Sequence, residues 1–190
     1  MNNELTANAP RTPTRHGDPI QRRAAGVRLA LFDVDGVLTD GRITLGDDGQ
    51  EYKAFNVRDG HGLKMLMGAG IEVAILTGRR SRAVAHRMAE LGIHEVIQGQ
   101  TDKRAAFEDL LQRRGLGPEE VAYTGDDVID LPILRRAGLA VAVADAHPLV
   151  RRHAHWITTH PGGRGAVREL CEAILEAHGR LEAALERYLL

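Results

Sequence analysis

Apolar residues along the chain fall into short unbroken runs that alternate with amphipathic stretches. Val27 to Phe32 is the first such run, and it stops at Asp-x-Asp-Gly. A run of this length closed by a glycine turn predicts a parallel strand buried on both faces. Similar runs at 72–76, 95–97, 121–123 and 139–143 predict further strands. Between them, 61–69, 81–91, 103–114 and 127–137 carry helical spacing, and 166–177 predicts one more helix. One segment breaks the rhythm. Residues 42–45 and 50–57 flank Gly46-Asp47-Asp48-Gly49 and predict a β-hairpin spanning about 41–57. Strand and helix alternating at these lengths predict an α/β fold with a doubly wound, mostly parallel sheet. The hairpin is a small insertion, and no stretch is long enough for a large cap domain.

The ends of the chain lack this pattern. Residues 1–25 hold Pro10, Pro13 and Pro19 with Asn, Thr and Arg, which predicts a loosely held tail. The ordered domain is expected over 26–178. A C-terminal tail follows over 179–190, where Leu181, Leu185 and Leu189 keep a helical spacing suited to packing.

Composition narrows the classes. With 25 basic and 26 acidic residues the net charge is −1, so no nucleic-acid partner is expected. No run of about 18 apolar residues exists, so no membrane span is expected. Cys171 is the single cysteine, so no internal disulfide forms and a cytoplasmic setting fits; the residue reads as core filler.

In a doubly wound sheet the ligand site lies beyond the carboxyl ends of the strands. The chemistry-bearing residues sit there. Asp33 and Asp35 follow the first strand, Thr77-Gly78-Arg79 another, and Gly125-Asp126-Asp127 a third. So many carboxylates at one place repel unless a cation joins them. An all-oxygen set suits Mg²⁺ and argues against zinc. Thr77 offers a hydroxyl and Lys103, opening a helix, a point charge for phosphate oxygens. Phosphoryl transfer depends on such positioning and charge neutralisation. Asp-x-Asp-Gly alone also suits a turn or a calcium loop, but Asp40, Asp47 and Asp48 do not supply the calcium spacing. His153, His155 and His160 lack the i, i+4 pairing of a zinc site and read as surface or loop residues. Gly162-Gly163 suits either phosphate binding through amides or a flexible turn. Arg79 and Arg87 are eight apart, about two helical turns, and both can face an acidic substrate.

Asp33-Val34-Asp35-Gly36-Val37-Leu38-Thr39-Asp40, Thr77-Gly78-Arg79, Lys103 and Gly125-Asp126-Asp127-Val128-Ile129-Asp130 resemble, in order, the four motifs of the haloacid dehalogenase superfamily. The resemblance implies a phosphatase in which Asp33 is the nucleophile that becomes an aspartyl-phosphate. Asp35 would be general acid and then base. Mg²⁺ would be held by Asp33, the Asp35 backbone carbonyl and Asp126, supported by Asp127 and Asp130. Thr77 and Lys103 would bind the phosphoryl oxygens. A narrower resemblance covers about 25–178. Phe55-Asn56-Val57-Arg58-Asp59-Gly60-His61-Gly62, Val141 to Pro148 and Gly162 to Glu169 are similar to the 3-deoxy-D-manno-octulosonate 8-phosphate phosphatases of lipopolysaccharide biosynthesis. That likeness implies a homotetramer assembled through the hairpins, with sites near subunit interfaces. It also implies that the C-terminal tail of one subunit reaches a neighbour's site. Substrate contacts would come from Asp35, Asn56, Val57, Arg58, Asp59, Gly60, Lys64, Arg79, Arg87 and Lys103. Lys64 stands where arginine is common. Two other readings remain open: the same chemistry on a nine-carbon acidic sugar phosphate, and a non-catalytic tetramerising module. The second requires loss of a nucleophile or lysine, and Asp33, Asp35, Lys103 and Asp126 are all present.

Overall fold

The computed structural model describes residues 18–189. Six parallel strands form one sheet: β1 (Leu29–Phe32), β4 (Glu72–Thr77), β5 (Glu95–Gln98), β6 (Val121–Gly125), β7 (Leu139–Ala142) and β8 (Trp156–Ile157). Their order is β5-β4-β1-β6-β7-β8. The two remaining strands, β2 (Thr44–Leu45) and β3 (Glu51–Tyr52), make the separate antiparallel hairpin. Fold class and insertion are therefore as the sequence pattern predicts.

β1 lies in the middle because it is apolar on both faces. All four of its residues are buried, as both-sided coverage by helices requires. From β1 the chain first moves outward through α2 (Val57–Gly68), β4, α3 (Arg82–Leu91) and β5. It then crosses back through α4 (Lys103–Arg114) to β6 and continues the other way through α5 (Leu131–Leu134), β7, α6 (Pro148–His153) and β8. Right-handed crossovers place α2 and α3 on one face and α4 to α6 on the other. α7 (Ala166–Ala177) packs against α2, and α1 (Pro19–Ala25) packs on α7. α8 (Leu181–Glu186) follows Gly179, whose φ of +65° ends the preceding helix.

Four details differ from the sequence pattern. Residues 19–25, grouped with the leader, form α1, capped by Asp18 and anchored by buried Ala24; the rest of the expected tail, 1–17, lies outside the described residues. The helix expected over 127–137 is a 3-10 turn (Val128–Asp130) followed by the short α5. Pro132 has no N–H to donate back to Val128, so a continuous helix is broken there. α6 and β8 were not expected at all. β8 is only two residues long, too short for any periodicity, and forms because Trp156 and Ile157 pair with Val141 and Ala142.

Candidate active site

Register brings the strand ends together. Phe32 pairs with Ile75 on one side and Thr124 on the other. Asp33, one residue on, is therefore level with Leu76 and Gly125, and Thr77 and Asp126 stand one step beyond. The Asp33 amide continues the ladder by donating to the Thr124 carbonyl at 3.1 Å. The crossovers that reach β4 and β6, the two neighbours of β1, run in opposite directions, so this is the switch point at which such sheets bind ligands.

Asp33, Thr77, Lys103 and Asp130 are all buried. Lys103 opens α4 behind the N-cap Asp102 and drives its ammonium into the cluster. It donates to Asp130 Oδ1 at 2.6 Å and lies 3.0 Å from Asp33 Oδ1. The second contact is a charge contact without hydrogen-bond geometry, so Asp33 Oδ1 is a buried oxygen with no hydrogen bond among the described residues. Asp130 is fully engaged. Its Oδ1 also accepts from the Tyr123 hydroxyl at 2.6 Å. Its Oδ2 accepts from the amides of Asp126 at 2.9 Å and Asp127 at 3.2 Å. Asp130 thus fixes the loop that presents Asp126. Tyr123 had no signal in the sequence beyond its place in a strand. Its hydroxyl pKa is pushed up by burial and by Asp130.

The charge balance of this cluster is incomplete. Burial pushes the Asp33 carboxyl up to about 6, with Lys103 opposing and Asp130 assisting the rise. Burial and the neighbouring Asp130, Asp33 and Asp127 push Asp126 up to about 8. Lys103 is raised: burial lowers it, but Asp33 and Asp130 outweigh that. Carboxylate oxygens of Asp33, Asp126 and Asp130 lie within 4.8 Å of one another. With Asp130 occupied by four donors, Asp33 and Asp126 are the open oxygens. Their crowding, which one lysine only partly offsets, and the all-oxygen donor set fit a hard divalent cation such as Mg²⁺. Gly36, at φ +87°, leaves the space: a Cβ there would collide with the Asp126 carboxylate.

Asp35 is turned away from this cluster toward the hairpin. Its Oδ1 accepts from the Lys53 ammonium, and its Oδ2 lies 3.8 Å from Arg79 Nε. Arg79 Nη2 is 2.6 Å from Glu51 Oε2, an interaction that raises the arginine pKa. Lys53 and Glu51 went unread in the sequence because charged residues in a hairpin look like any solvated turn.

The other expected substrate residues cluster at the start of α2. Asn56 caps that helix through Oδ1 to the Arg58 amide at 2.8 Å, and its Nδ2 donates to the Gly163 carbonyl at 3.4 Å. Val57 and Arg58 are exposed. Gly60 is buried against the Arg87 guanidinium, where a Cβ would not fit. Arg87 pairs with Glu90 at 2.8 Å, while its Nε is buried without a hydrogen bond among the described residues. Lys64 is exposed two turns along α2. Asp59 does something else. It is 1% exposed, and its two oxygens accept from the amides of Gly165 and Arg168 at 3.2 and 2.8 Å. Its carboxylate caps α7. Asp127 caps its own turn through the Val128 amide at 2.7 Å.

Gly162 and Gly163 do not offer their amides to a phosphate. Gly162 N–H donates to Asp145 Oδ1 at 3.0 Å and Gly163 N–H to the Val37 carbonyl at 2.8 Å. A Cβ on Gly162 would overlap the Gly36 carbonyl, so these glycines permit close backbone packing on the loop after β1. Two of the three histidines are likewise engaged in structure: His155 Nδ1 accepts from the Ala140 amide and His160 Nδ1 pairs with Glu169, while His153 is exposed at the end of α6. Cys171 is buried, as its reading as filler implies.

Residues 89–170 match the haloacid dehalogenase-like hydrolase family. The chain is 52% identical over 162 residues to the 3-deoxy-D-manno-octulosonate 8-phosphate phosphatase of Escherichia coli K12, covering 85% of this chain and 86% of that one. The crystal structure of the Yersinia pestis 3-deoxy-D-manno-octulosonate 8-phosphate phosphatase superposes with a TM-score of 0.87 at 49% identity, covering 93% and 96% of the two chains. That of the Moraxella catarrhalis enzyme, in complex with magnesium ion, phosphate ion and KDO, gives 0.89 at 43% identity over 91% and 99%.

Proposed function

The chain belongs to the haloacid dehalogenase-like hydrolases, within the family of 3-deoxy-D-manno-octulosonate 8-phosphate phosphatases, and from that premise we propose that it hydrolyses this acidic sugar phosphate through an aspartyl-phosphate on Asp33. It is a Mg²⁺-using phosphoric monoester hydrolase. The observation that carries the substrate reading is the 52% identity to a phosphatase of that name, in a chain that keeps Asp33, Lys103 and Asp126 together beyond β1.

Asp33, Asp126 and the Asp35 carbonyl would hold the ion, which supplies positive charge to the phosphoryl oxygens and to the two carboxylates. An Asp33 carboxylate oxygen attacks phosphorus as the bond from phosphorus to the sugar oxygen breaks. Asp35 delivers a proton to that leaving oxygen. In the second half Asp35 takes the proton back from water, the water oxygen bonds to phosphorus, and the Asp33 carboxylate leaves. Thr77 and Lys103 hold phosphoryl oxygens throughout. Lys103 is buried and already paired, so little reorganisation is needed as charge moves onto the phosphoryl group. Arg58, Arg79 and Arg87, with Asn56, Val57 and Gly60, would receive the carboxylate and hydroxyls of the sugar, while Asp59 holds α7 behind them.

Assembly as a homotetramer through the hairpins is part of the same reading. Ile43, Leu45 and Tyr52 stand exposed on the hairpin and support it. A cytoplasmic location is consistent with the one buried thiol, and no described helix is long and apolar enough to cross a membrane. The test is phosphate release with Mg²⁺ over a panel of sugar phosphates, with Asp33→Asn as control. Preference for the eight-carbon acid and an inactive Asp33→Asn are expected. Equal rates on generic monoesters would sink the substrate, and an active Asp33→Asn would sink the mechanism.

A further inference from the structure

Lys53 has a side chain only 1% exposed, in a hairpin whose Ile43, Leu45 and Tyr52 face solvent. A buried ammonium is stable only when its charge is met. Here two carboxylates meet it: Asp35, through the hydrogen bond to Oδ1, and Glu51, whose Oε1 is 3.5 Å away. Glu51 opens β3 and Lys53 directly follows it, and the contact between their charged ends puts both side chains on one side of the hairpin. That side is turned toward the loop after β1. Arg79 closes a ring of alternating charge, 2.6 Å from Glu51 and 3.8 Å from Asp35. Within it Asp35 Oδ1 is tied down, and among the described residues Oδ2 faces only the longer contact to Arg79.

We infer that Lys53 is a positioning residue for Asp35, holding one carboxylate oxygen so that the other carries the proton between leaving oxygen and water. The hairpin then has a chemical role in its own subunit besides any role in assembly. The inference rests on the reading of Asp35 as acid and base given above. A carboxyl free to rotate about Cβ–Cγ would present its proton in the right place only part of the time. One fixed oxygen removes that freedom, and rate is sensitive to such placement.

The readout is leaving-group dependence. An alkoxide leaving from a sugar needs a proton, whereas nitrophenolate leaves without one. General acid–base help of this kind is worth about 10²–10⁴-fold in rate, so its partial loss is measurable. For Lys53→Met in the full chain with Mg²⁺, kcat/KM on the sugar phosphate is expected to fall roughly 10- to 100-fold and on p-nitrophenyl phosphate less than about 3-fold. Lys53→Arg should restore most of the loss. In an Asp35→Asn background, Lys53→Met should add nothing, because the group it positions is gone. Equal losses on both substrates, or losses that add to those of Asp35→Asn, would overturn the inference. Additivity would mean that Lys53 instead touches the sugar. Should Lys53→Met lose its circular dichroism signature, Glu51→Gln serves: it loosens the ring without stranding the ammonium, and the same selectivity must appear in weaker form. Asp33→Asn separates the two levels. Its activity tests the mechanism, whereas a uniform Lys53 effect beside an inactive Asp33→Asn refutes only the positioning role.

Discussion

Lowering the pH from 8 to 6 should weaken Mg²⁺ binding about 100-fold. The cause is the crowding of Asp33 and Asp126. A carboxyl must lose its proton before it can ligate the ion, so protons and metal compete. Asp126, raised to about 8, is about half ionised at pH 8 and about one-hundredth ionised at pH 6. Asp33, raised to about 6, adds a further factor of about two across the same interval. Together these give roughly two decades in apparent affinity, or about 2.7 kcal/mol. At pH 7 the ion should displace about one proton, nearly all of it from Asp126. Titration calorimetry in two buffers of different ionisation enthalpy measures both quantities. Thermal stability supplies an independent check of sign. Both folded carboxyls lie above their ordinary 3.8, so between that value and about 8 these two groups hold more protons in the metal-free native state than in the unfolded chain. Their contribution to metal-free stability should therefore decline as pH rises through that window, and the melting-temperature gain from Mg²⁺ should be larger at pH 8 than at pH 5.5. In Asp126→Asn the affinity should be weak throughout, with only the factor of about two from Asp33 remaining. Affinity that is constant from pH 6 to 8, or binding without proton release, would refute the reasoning.

Two further outcomes follow from the buried carboxylates. Asp130→Ala removes the acceptor of four donors and leaves the Lys103 ammonium facing Asp33 alone; breaking such a buried pair costs about 3–5 kcal/mol, which should lower the melting temperature by roughly 10 °C in a scanning denaturation measurement. Asp59→Ala strips the cap from α7 and should cost about 1–3 kcal/mol in urea unfolding, with kcat on the sugar phosphate changed less than about threefold.

The sequence was informative where chemistry and periodicity coincide. Asp33, Thr77 and Asp126 each follow an apolar run, and register alone carries them to one end of the sheet. Lys103 was legible because it opens a helix. Asp130 was read as support for the metal, whereas its engagement with Lys103, Tyr123 and two amides had no trace in the sequence. Other features left no local trace. Asp59 sits in the motif that carries the substrate reading, yet its partners are amides of Gly165 and Arg168, more than a hundred positions away. Lys53 is buried only because the hairpin leans on the loop after β1. β8 exists because β7 offers it an edge, and α5 is short because of one proline. What periodicity cannot report is which distant backbone a polar side chain will meet.

The packing of Gly162 and Gly163 on Gly36 and Val37 also bears on the order in which the molecule is built. Every acidic group of the cluster, and Lys103, precedes residue 131. During synthesis these residues are all available while the last third of the chain is still missing. The loop that presents them is nevertheless clamped by a backbone contact spanning about 125 positions, and long loops close late because their ends must first find each other. On the proposed ligand set, a nascent chain would carry every ligand well before it has a rigid place to hold an ion. Competence to bind metal would then arrive near the end of assembly, together with α7.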